Sequence, residues 1–115
     1  MFTSFPQLAV SAIGIFLAIT GVSVAQTTER VSVDSLGAQG NDRSYYCSIS
    51  ADGRYVAFYS YASNLVAGDT NGYHDSFVHD RQTGVTERVS VDSLGAQGND
   101  RSSSASISAA GRYVA

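Results

Sequence analysis

Lysine and tryptophan are absent from this 115-residue chain, and proline, cysteine and methionine occur once each. The single cysteine, Cys47, excludes a disulfide within the chain, because a disulfide framework needs pairs. A lone thiol can be a nucleophile or a metal ligand, but free cysteine also packs as a small hydrophobe. Packing is the reading favoured here, since Ala105 occupies the matching place in a second copy of the surrounding pattern. All seven cations are arginines, scattered along a chain of net charge −3. No basic patch is present to displace phosphate counterions, which argues against nucleic acid as a partner. No stretch after Gln26 carries an apolar period of 3.6 residues, so no amphipathic helix is expected there.

The one long apolar run is at the start. Leu8–Val24 has no charge, and Ser23 and Ala25 are small at the −3 and −1 positions of a cut before Gln26. Residues 1–25 therefore predict a secretory signal helix, although the segment before the run lacks Lys and Arg. An uncleaved anchor is the rival, but the run is short of the ~20 residues that a spanning helix needs. Cleavage implies an exported protein, periplasmic or extracellular, with no membrane segment left.

What the chain has in abundance is itself. Thr28–Ala57 and Thr86–Ala115 differ at only four of 30 aligned positions: Tyr45/Ser103, Tyr46/Ser104, Cys47/Ala105 and Asp52/Ala110. Repeats with periods in the tens of residues mark solenoids, propellers or arrays. Within the unit, short runs rich in Val, Ile, Tyr, Phe and Ser are punctuated by Gly, Asn and Asp. Asp52-Gly53 and Thr83-Gly84 supply tight turns between strands, the pattern of an antiparallel meander. Strands are expected at about Tyr45–Ser50, Arg54–Tyr61, Ser76–Asp80 and Val85–Asp92, with Thr28–Asp34 as the fourth strand of a preceding unit. Four antiparallel strands per repeat make a β-propeller blade. The expectation is an all-β chain in which 26–115 is a partial propeller. One full blade lies at about 45–92, with part-blades at 28–34 and 104–115.

"SISADGRYVAF" at Ser48–Phe58 and "DSFVHDRQTG" at Asp75–Gly84 resemble the strand–turn–strand core and third strand of the WD40-like β-propeller repeats, the TolB-like group of exported bacterial proteins. The likeness spans Thr28–Ala115. Two places depart from it: Ala110 replaces the turn Asp in the second copy, and Cys47 and Ala105 stand where a proline is common. The resemblance implies a fold and a binding-scaffold role, without an activity of its own. Similar propellers also precede hydrolase domains, which makes the propeller portion of a larger exported hydrolase the alternative. The 58-residue offset exceeds the ~40–45 residues of a compact blade, so the excess belongs to the loops Ala62–His74 and Ser93–Ser103. Ala115 aligns with the mid-strand Ala57, and a ring takes about 4–8 blades. An incomplete propeller follows as an expectation, completed by further blades in cis or in trans.

Ligand chemistry is sparse. Asp69, Asn71 and Asp75 place hard oxygens at i, i+2 and i+6, a set that suits Ca²⁺ in a calcium-stabilised adhesion module. The glycine is two places early for a helix-type calcium loop, and Asp and Asn also cap their own turns. No other cofactor is expected. "GAQGND", at 37–42 and 95–100, lacks the Lys-Ser/Thr and the helix of a phosphate cradle, which leaves a turn between blades. His74 and His79 are too few for zinc. No Gly-x-Ser-x-Gly elbow is present, so no catalytic residue is assigned. Tyr45 and Tyr46 become serines in the second copy, which marks them as candidates for a ligand-facing position. The partner expected of such a scaffold is a protein or a glycan.

Overall fold

The computed structural model describes residues 26–115; the expected signal segment, 1–25, lies outside the described residues. One four-stranded antiparallel sheet organises them, with strand order equal to chain order. The strands are β1 (Ser44–Ile49), β2 (Tyr55–Ser60), β3 (Asp75–Asp80) and β4 (Thr86–Arg88). No helix occurs among the described residues.

The β1–β2 turn forms because Gly53 accepts φ +75° and Asp52 Oδ1 takes the Arg54 N–H at 3.0 Å. The β3–β4 turn is built on Asp80, whose Oδ1 accepts the Gln82 N–H at 2.9 Å. Arg54 closes the end of the sheet with a two-pronged bond to Asp80, at 2.9 and 2.7 Å. This guanidinium, helped by the turn N–H groups, holds the Asp80 carboxyl well below the usual carboxylate range.

Residues opposite one another in register share a face, and neighbours along a strand alternate. Val56 and Phe58 of β2 therefore join Phe77 of β3 on one face, over Ala62 and Leu65, with Val31 of the preceding repeat packed against them. Ala57 and Val78 lie on the other face, beneath Ala105 and Ile107 of the following repeat, with Val114 alongside. Both faces of one sheet are thus cores: the sheet's own Ala62 and Leu65 cover the first, with Val31 from upstream at its margin, and the following repeat covers the second. The fit on the second face is close: a Cβ at Gly111 would overlap the Tyr55 ring.

Two strands differ from expectation. Thr28–Asp34 enters no ladder beyond the single bridge Val33↔Gln39. Asp34 turns the chain instead, its Oδ1 accepting the N–H groups of Leu36 and Ala38 at 2.9 and 2.8 Å. The fourth strand likewise ends at Arg88 and passes into the same hairpin, with bridge Val91↔Gln97 and Asp92 in the role of Asp34. "GAQGND" therefore belongs to a tight hairpin in both copies, with Leu36 and Leu94 almost fully exposed at the tips. At the C-terminal end, Ile107↔Val114 begins the hairpin that matches β1 and β2.

Candidate functional site

Asp69, Asn71 and Asp75 do come together, around an arginine that the sequence did not single out. The register Phe77↔Arg88 sets Arg88 on the same face as Asp75. Its Nη1 lies 3.5 Å from Asp69 Oδ1 and 3.6 Å from Asp75 Oδ2, and it donates to Gln97 Oε1 at 3.1 Å. Asp75, fully buried, accepts from Ser90 Oγ at 2.8 Å and from Asn71 Nδ2 at 2.9 Å. Asn71 turns its amide nitrogen into the cluster and its oxygen out, to the Tyr73 N–H at 3.0 Å. Burial first, then the neighbouring Asp75 charge, pushes the Asp69 carboxyl up, against the pull of Arg88. The two carboxylates that suit calcium thus face Arg88, with Asp75 also bonded to Ser90 and Asn71, and the Asn71 oxygen is taken by the Tyr73 N–H. Among the described residues no group of three or more His, Cys, Asp or Glu side chains is placed to hold a metal ion.

The two histidines serve the contacts between repeats. Thr86 Oγ1 gives its only proton to the Val33 carbonyl at 2.6 Å, so it accepts from His79 Nδ1 at 2.8 Å. His79 is therefore the donor in this pair and does not act as a base toward Thr86. Burial lowers its pKa. His74 Nδ1 donates to the Ser102 carbonyl at 2.7 Å, tying the long loop to the second copy.

At the β1 edge the ladder is irregular between Tyr45 and Ser48, and Tyr46 sits in the left-handed region at φ +46°. The bulge aims aromatic rings outward. Tyr46 stacks on Tyr59 (5.7 Å between centroids, 27° between planes), and Tyr45 lies 5.6 Å from Tyr59. Tyr61 sits 4.6 Å from His74, with the Arg43 guanidinium carbon 5.0 Å above its ring. Tyr45 and Tyr46 also line a cleft of about 630 Å³ between β1 and Thr28–Ser32. Cys47, expected to pack as a small buried residue, is exposed on the same bulge. Tyr59, Tyr61 and Arg43 escaped the sequence reading. The signal available was the alternation Tyr59-x-Tyr61 on the strand that pairs with Tyr45.

No known family, curated protein or solved structure matches the chain.

Proposed function

We propose that this chain is a segment of an exported β-propeller of the WD40-like, TolB-like kind, working as a non-enzymatic scaffold for contact with a protein or a glycan. One observation carries the reading: a single sheet with two apolar faces, one covered by Ala105 and Ile107 of the following copy and the other by its own Ala62 and Leu65 with Val31 from upstream. A blade in a ring needs that arrangement, because it has no private core. Polar bonds between the repeat copies support it further, among them Ala51 N–H with the Ala109 carbonyl, Ile107 N–H with Ser48 Oγ, and Thr86 Oγ1 with the Val33 carbonyl. The histidines are spent on such contacts, so no catalytic role is assigned within this chain. A calcium-stabilised adhesion module is the weaker alternative, because Asn71 turns its oxygen away from the cluster and Arg88 already faces both carboxylates.

The test is a fusion of the full chain to a phosphatase that is active only outside the cytoplasm. Active reporter, and a mature product beginning at Gln26, are expected. A reporter that stays inactive contradicts export. Saturable turnover of ester or peptide substrates by the mature chain contradicts the scaffold role.

A further inference from the structure

We propose, on the scaffold reading above, that the tyrosine cluster at the β1 edge is a glycan-binding platform, with Tyr45, Tyr46 and Tyr61 as the rings a sugar meets. Tyr46 is 74 % exposed, Tyr45 40 % and Tyr61 39 %, so three large rings stand in water beside one another. The fold does not ask for them. Ser104 takes the same left-handed conformation at φ +68° in the second copy, where Ser103 and Ser104 replace the tyrosine pair. The contact with the following copy does not use them either, since it is made through Ala105 and Ile107. An exposed aromatic at positive φ is an unfavourable place for a residue with no task.

The chemistry of the patch matches a pyranose. A sugar ring offers an apolar C–H face and a rim of hydroxyls. The face complements the negative π surface of a tyrosine, and the rim complements phenol hydroxyls and a guanidinium such as Arg43. Tyrosines supply such surface at low entropic cost, having two side-chain torsions each. Centroid spacings of 5.6–6.4 Å at modest tilts hold Tyr45, Tyr46 and Tyr59 in one cluster. Single-stranded nucleic acid also stacks on aromatics, but along a positive groove. Here Arg43 is the one cation over the rings, in a chain of net charge −3.

The experiment titrates the full chain with neutral hexasaccharides of glucose, mannose, xylose and N-acetylglucosamine by calorimetry and saturation-transfer NMR. At least one is expected to bind, with the sugar protons nearest the tyrosines saturated most strongly. Tyr45→Ser with Tyr46→Ser, the pair the second copy already carries, is expected to weaken that binding at least tenfold and leave the thermal melt unchanged. Should the double variant fail to fold, Tyr46→Ser alone gives the same reading. No binding by any of the four, binding undiminished in the variants, or tyrosine-dependent binding of a proline-rich decapeptide instead, overturns the glycan site. Export of the reporter fusion beside any of those outcomes leaves the scaffold reading standing, and a reporter that stays inactive removes that reading as well.

Discussion

Arg88 and Arg30 are the same residue of the repeat in different surroundings. Each donates to the glutamine nine places on, Gln97 or Gln39. Arg30 is exposed, whereas the Arg88 side chain is 11 % exposed and faces Asp69 and Asp75, at 4 % and 0 %. Removing one partner of a buried ion cluster strands the other charges, at a cost of about 3–5 kcal/mol. Arg88→Met is therefore expected to cost that much in urea unfolding, and Arg30→Met less than about 0.5 kcal/mol, as for other surface substitutions. Equal effects would contradict the account of the cluster. His79 adds a pH dependence. Burial lowers its folded pKa below the ordinary 6.5, with Glu29 and Asp80 pulling the other way and Arg81 assisting. The unfolded chain then takes up the proton first, so the stability held above about pH 6.5 is lost as the pH falls. The melting temperature of the parent should drop more between pH 7.5 and 5 than that of His79→Gln. Parallel curves would remove His79 as the cause.

At the scale of elements, the β1–β2 hairpin and its copy near Ile107 test one difference. Asp52 bonds to Ser50 Oγ and the Arg54 N–H; Ala110 has nothing to offer, and Ser108 Oγ accepts from Arg112 and Tyr113 instead. The backbone bonds of the two turns nevertheless agree, as do Gly53 and Gly111 at φ +75° and +72°. Ala110→Asp restores the missing acceptor. It should raise the melting temperature by roughly 2 °C, the shift a few tenths of a kcal/mol gives a domain of this size. A fall would mean that the second turn is built differently. The strands β1 to β3 were legible because β-favouring residues lie between Asp-Gly and Gln-Thr-Gly turns, and local chemistry decides both. Thr28–Asp34 was not: Val31 and Val33 alternate as in a strand, and the Asp34 side chain, bonded to two N–H groups ahead of it, turns the chain away together with Gly37 at φ +89°. The Arg88 cluster was half legible. Its acids sit together in sequence, but Arg88 and Gln97 reach them only through β3–β4 register and the following hairpin. The tyrosine platform needed the left-handed turn at Tyr46, which no residue type announces, since Ser104 adopts it as well.

For the molecule as a whole, the sheet is completed by its repeats. Val31 packs on one face from upstream, beside Ala62 and Leu65, and Ala105, Ile107 and Val114 cover the other from downstream. In such arrays stability is a sum of unit terms and neighbour interfaces, so each added unit raises it. Ala115 aligns with Ala57, which lets a further copy of residues 58–115 be fused directly after it in phase. The melting temperature of that extended chain, set against the parent under identical conditions, is the most direct measurement. A single transition at least ~5 °C higher is predicted, since a new interface of a few kcal/mol shifts a domain of this size by that much or more. An unchanged melting temperature, or two independent transitions, would contradict the claim that the repeats form one another's core.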